Sequence, residues 1–147
     1  MRFGLAAVLA AIVLAGVNAP AIGVTPNGDS LQGAWQLSSG EADGKALSQA
    51  QLKDGKLVIQ DAGYTVTLTD IGTVKGTQKL DAMQEPKTID ITDAIGPHSG
   101  KTCLGIYELK ENEFRVVFAS PGGARPSKFE TKSESGHWMH VWRRLQK

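Results

Sequence analysis

The sequence predicts an all-β chain: an eight-stranded antiparallel up-and-down barrel with one short helix after the first strand. Three observations lead there. From Leu31 onward the chain is a succession of short apolar-alternating runs separated by glycine, proline, aspartate or asparagine, which is the pattern of strands joined by turns. Only one segment, "KALSQAQLKDG", has a helical look. The connections are mostly of hairpin length, and an antiparallel sheet of this size hides its edges best by closing on itself. A two-sheet sandwich is the competing arrangement; the short successive connections favour the up-and-down barrel over a Greek key.

The elements follow in order. "LQGAWQLSS" is the first run. In "KALSQAQLKDG" Leu47 and Leu52 are apolar and Gly55 marks the stop of a short helix. "KLVIQD" is the second strand. In "GYTVTLTD", Tyr64, Val66 and Leu68 alternate with Thr65, Thr67 and Thr69, a period of two that no helix face produces. "GTVKGTQKLD" is a weaker, polar strand, and "KTIDITDA" resumes the alternation with Ile89 and Ile91. "TCLGIYELKE" and "NEFRVVFAS" flank a polar turn at Lys110–Asn112 and read as a hairpin. The long loop "SPGGARPSKFETKSESG" leads to the last strand, "HWMHVWRRLQ".

Two positions in the first and last strands suggest how one end is closed. Gly33-Ala34-Trp35 opens the first strand, and Arg143 and Arg144 close the last. A large rigid indole can plug the narrow end of a barrel, and a guanidinium lying over it gains about 0.5–2 kcal/mol. Glycine two residues earlier lets the chain bend sharply beneath. Arg144 shares a strand face with Trp142, His140 and Trp138, Arg143 with Val141 and Met139, and parity alone does not choose between them.

These residues resemble the G-x-W signature and terminal arginine of lipocalin-like (calycin) barrels. From Leu31 to Leu145 the chain is similar to a family of small exported proteins, numerous in planctomycete bacteria, described as lipocalin-like and without an assigned activity. The stretches that carry the resemblance are "LQGAWQLSSGEADGK", "GTQKLD", "PKTIDIT", "GKTCLGIYEL", "PGGARPSKFE" and "VWRR". In that family the closing arginine corresponds to Arg144, so the resemblance implies Gly33, Trp35 and Arg144 as the closure. It implies an exported barrel domain and brings no catalytic residues. Likeness to true lipocalins ends soon after the tryptophan, in the polar "QLSSGEADGK".

By alternation, Tyr64, Val66, Leu68, Ile106, Phe114, Val116 and Phe118 are expected to point into the barrel, and His140, between Trp138 and Trp142, is a further candidate to contact a ligand there. Barrels of eight strands are either filled by side chains or hold one small molecule. Aromatic residues make up only 6% of the chain, which leaves few bulky plugs, yet aliphatic side chains can fill a small barrel too. Two readings therefore stand: a binding protein for a small hydrophobic molecule, or a non-enzymatic module with a filled barrel that contacts an envelope protein through its loops.

The 147 residues suffice for one domain. Met1-Arg2 followed by the apolar run Phe3–Val17 and "APA" at Ala19–Ala21 has the form of a signal peptide. Its apolar part is shorter than the about 20 residues of a bilayer span. Residues 1–21 are thus expected to be a cleaved leader, 22–30 a turn-rich linker and 31–147 the barrel domain. Cleavage is placed after Ala21, with Ala19 the poorer site because Pro20 follows it; a retained N-terminal anchor is the alternative. Val17 stands where a lipoprotein would need its cysteine, so the mature protein is expected to be soluble, periplasmic or extracellular, with no lipid anchor and no membrane insertion.

Without residues 1–21 the chain carries fifteen basic and fifteen acidic residues, so nothing suggests a nucleic-acid partner. Cys103 is the only cysteine, which excludes an internal disulfide and reads as a small buried hydrophobe. "GPHSGKT" misses the P-loop spacing, with three residues between Gly96 and Gly100 and Ile95 where glycine is needed. His137 and His140 fall on opposite faces of a strand and His98 in a loop, so no metal site is expected. No G-x-S-x-G occurs, Ser99 and Ser120 have only loop context, and Glu111 with Glu113 flanks a solvated turn. No enzyme activity, cofactor or catalytic residue is expected. Arg125 in the long loop either lids the mouth and holds an anionic group, or belongs to a packed connection anchored by Phe129, which is the favoured reading.

Overall fold

The computed structural model describes residues 30–146; the expected leader, and the linker before Ser30, lie outside them. The elements are β1 (Gly33–Ala42), β2 (Lys45–Ala46), α1 (Gln49–Asp54), β3 (Lys56–Gln60), β4 (Gly63–Leu68), β5 (Gly72–Asp81), β6 (Lys87–Ile95), β7 (Thr102–Lys110), β8 (Glu113–Phe118) and β9 (Trp138–Arg144). Apart from the two-residue β2, which pairs only with the far end of β1, the strands pair antiparallel in chain order, and β9 returns to β1. The result is a closed eight-stranded antiparallel up-and-down barrel with one short helix after the first strand. Closure leaves no long unpaired edge in the wall.

The first strand is longer than its apolar pattern indicates. It runs through the polar Gly40-Glu41-Ala42, because those residues pair with His140, Met139 and Trp138 of β9 across a bulge between Leu37 and Ser39. Long-range pairing supplies the hydrogen bonds that local composition does not advertise.

The short helix is built on a reciprocal cap. The Gln51 backbone N–H donates to Ser48 Oγ at 3.2 Å, and the Ser48 backbone N–H donates to Gln51 Oε1 at 2.8 Å. At the other end the Gln36 side chain donates to the carbonyls of Leu52 (2.9 Å) and Gly55 (3.1 Å), tying the last turn to β1. Gly55 follows α1 as the sequence predicts, but not as a left-handed stop, since its φ is −71°. Glycine is needed because a Cβ there would lie 2.6 Å from the Leu37 side chain. Removing the cap in Ser48→Ala is expected to cost α1 about 1 kcal/mol, read as roughly fivefold faster amide exchange at Leu52, whose N–H is bonded to the Ser48 carbonyl.

The core sits inside the barrel, where Trp35, Leu37, Ile59, Tyr64, Ile89, Cys103, Tyr107, Phe114, Val116 and Trp142 are among the buried side chains of one cluster. A second buried layer lies outside it. Ile106 and Val117 pair across β7 and β8 and are buried, yet neither belongs to the interior cluster. Outward side chains on a single-walled barrel stay dry only when something lies over them. That cover is the long loop between β8 and β9. Arg125 pins it to the wall, 2.7 Å from the Asp90 carboxylate and 2.8 Å from the Gly105 carbonyl, and Phe129 lies beneath the Arg115 guanidinium at 4.4 Å. Thr131 then ties the loop to the end of β1, its N–H and hydroxyl both donating to Glu41 at 2.8 Å. The loop is a packed connection, and Arg125 is committed to the wall and not to the mouth.

Candidate functional site

Up-and-down topology sends alternate turns to opposite ends, so the two ends can be assigned from the connections. At one end lie the start of β1, the β3–β4, β5–β6 and β7–β8 turns and the end of β9; at the other lie α1, the β4–β5 and β6–β7 turns and the long loop.

The first end is shut. Trp35 is fully buried, its Nε1–H donating to the Leu31 carbonyl at 2.9 Å, with Phe114 tilted against it at 5.7 Å. The Arg144 guanidinium lies over the indole, 4.2 Å from the ring centre, and donates to the carbonyls of Gln32 (2.7 Å) and Ser30 (2.6 Å). The arginine therefore straps the incoming chain across the floor. Gly33 holds φ at 119°, a conformation that L side chains rarely adopt, and a Cβ there would meet Arg144 Nη1 at 3.6 Å. Trp35 and Arg144 are direct partners across β1 and β9, which settles the choice that parity left open; Arg143 instead faces outward, 3.7 Å from Glu113.

Above this floor the barrel is hollow. A cavity of about 440 Å³ runs up to the other end, lined mostly by aliphatic and aromatic side chains. Of the residues that alternation points inward, Tyr64, Val66, Leu68, Phe114, Val116 and Phe118 line it, together with His140. Ile106 does not. On β7 the inward residues are Cys103 and Tyr107, one register step away, and Ile106 belongs to the outer layer beneath the loop. Both faces of β7 are buried, so its apolar residues carry no alternation to read.

The rim is held by polar contacts. Gln51 of α1 donates to the Asp70 carboxylate, and the Thr69 hydroxyl donates to Asp54 at 3.2 Å, so the helix leans on the β4–β5 turn. Across the mouth the His98 ring lies 5.9 Å from Trp138. His98, expected only as a loop residue, thus reaches the cavity wall.

Sequence reasoning also missed a charged residue inside the cavity. Asp93 is 5% exposed, lines the cavity, and accepts a hydrogen bond from the Tyr64 hydroxyl. Burial first, and then the bond to Asp93, raise the Tyr64 hydroxyl well above the usual phenol range, so it keeps its proton and is the donor. Gly76 makes room for the pair: a Cβ there would collide with the Thr92 carbonyl and stand 2.5 Å from the Tyr64 oxygen. A signal for Asp93 was present, because it continues the phase of Ile89 and Ile91 along β6.

Two other titratable groups are governed by burial. The Cys103 thiol is pushed up to about 11, by desolvation and then by the Asp93 carboxylate, which leaves it protonated and unreactive near neutral pH. The His140 imidazole, edge-on to Trp142 at 5.5 Å, is pushed down to about 4 by desolvation and is neutral there. The interior is thus an apolar chamber containing one carboxylate, and no lysine or arginine is found among the described residues that line it. No group of three or more histidine, cysteine or acidic residues suited to a metal ion occurs among the described residues. "GPHSGKT" forms the β6–β7 turn and the first residue of β7, with no helix after it.

No family model matches the chain, and neither does any curated protein or solved structure.

Proposed function

We propose that this chain is an exported binding protein that holds one small, mostly apolar molecule inside its barrel. The observation that carries the reading is the cavity of about 440 Å³, closed below by Trp35 and Arg144 and walled by apolar side chains. A volume in this range suits a small organic ligand, and a few fixed polar groups in an otherwise apolar chamber are the usual means of orienting one. Tyr64, Val66, Leu68, Phe114, Val116, Phe118 and His140 supply contact surface; Gly33, Trp35 and Arg144 supply rigidity. The leader-like residues 1–21 support export to the periplasm or beyond, as does the resemblance read from the sequence motifs alone. A filled barrel acting only through its loops has less to rest on, given this internal volume.

Native mass spectrometry of the protein purified from its own cell tests the reading. The expected result is a discrete excess mass that disappears on unfolding. A chain that remains at its apo mass, and that takes up none of a panel of small apolar compounds, would overturn the proposal.

A further inference from the structure

We propose that the molecule held in the barrel is an amphiphilic amine, its protonated nitrogen paired with the carboxylate of Asp93 and its apolar body against the remaining wall. The inference rests on the binding reading above and specifies the ligand class for that same cavity.

The charge distribution carries it. Among the described residues that line the cavity, the acidic ones are Asp70 at the rim and Asp93 within, and none is lysine or arginine. Asp93 takes no part in any ion pair found among the described residues. Its one hydrogen-bond donor from a side chain among them is the neutral Tyr64 hydroxyl. A buried carboxylate is costly unless a cation or a set of donors compensates it. Here one side-chain donor and no paired cation are found among the described residues, and the carboxylate lines a cavity of about 440 Å³.

The same arrangement disfavours the opposite ligand. An anionic head group, such as that of a fatty acid, would meet the Asp93 charge with no lysine or arginine to offset it. The Tyr64 proton is already given to Asp93, and the neutral His140 brings no positive charge. A protonated amine gains a charge-assisted hydrogen bond in a site of low polarity, where such bonds are strongest. Ile91, two residues before Asp93 on the same face of β6, and Trp142 offer apolar contact to the rest of the molecule.

Three probes sharing one tail separate the possibilities: octylamine, octanol and octanoate, titrated into the unaltered chain by calorimetry near neutral pH. The expected order is amine tightest, by about tenfold or more over the alcohol, with the carboxylate weakest. Asp93→Asn keeps an acceptor for Tyr64 and removes the charge, so it is expected to bring the amine to within about twofold of the alcohol. Tyr64→Phe keeps the charge and is expected to keep the order. Amine and alcohol binding equally to the unaltered chain would overturn the amine proposal while leaving an apolar binding protein intact, as would octanoate binding tightest. Failure of all three probes to bind would overturn this proposal together with the binding reading beneath it.

Discussion

Replacing Trp35 by alanine is expected to destabilise the fold by about 3–5 kcal/mol, among the largest effects a single truncation produces. The indole is fully buried, packs on Phe114, and gives its N–H to Leu31. Its loss leaves a void at the floor and removes the face on which Arg144 lies, while Arg144 still has to hold the Ser30 and Gln32 carbonyls. In thermal unfolding this corresponds to a fall in Tm of roughly 10–20 °C. Trp35→Phe keeps a ring under the guanidinium and is expected to recover more than half of the loss. A change below about 1 kcal/mol for the alanine variant would mean that the ring is not a plug.

The second large effect is a pH dependence that originates at His140. In the folded chain burial pushes the imidazole down to about 4, against an ordinary 6.5 in the unfolded chain. Between those values the unfolded state binds the proton and the folded state does not, so stability rises with pH across that window. The full stability is present above about pH 7, is lost progressively as pH falls, and the loss levels off near pH 4 at about 3 kcal/mol. Urea midpoints measured over this range, compared with those of His140→Phe, isolate the contribution. The difference between the two curves is expected to slope through the window; two parallel curves would show that the imidazole is free to protonate in the native state.

Trp35 and Gly33 were legible as a ring that can plug the narrow end and a chain that must bend beneath it. Arg144 was separated from Arg143 only by the resemblance to lipocalin-like barrels, since strand parity leaves the two open until the pairing with Trp35 is seen. The inward face of β4 was legible for a different reason. In "GYTVTLTD" the outward positions are threonines, so alternation marks the interior directly. β7 defeats the same reasoning at Ile106, since the loop over its outer face makes both sides apolar. That cover is created by Arg125 on Asp90 and Phe129 under Arg115, contacts from the loop to distant strands that no local pattern reveals. Asp93 lay in phase with Ile89 and Ile91, but a carboxylate in a strand ordinarily reads as solvated; only the approach of Tyr64 over Gly76 makes it an interior group.

The hollow interior is the premise on which the functional reading depends, and xenon occupancy in pressurised crystals measures it most directly. Apolar cavities much smaller than this one take up the gas. The result expected is xenon density inside the barrel, between the β4 residues Val66 and Leu68 and the β9 residue Trp142, above an indole at position 35 that remains covered by Arg144. An interior filled by side chains, with no xenon bound there, would contradict it.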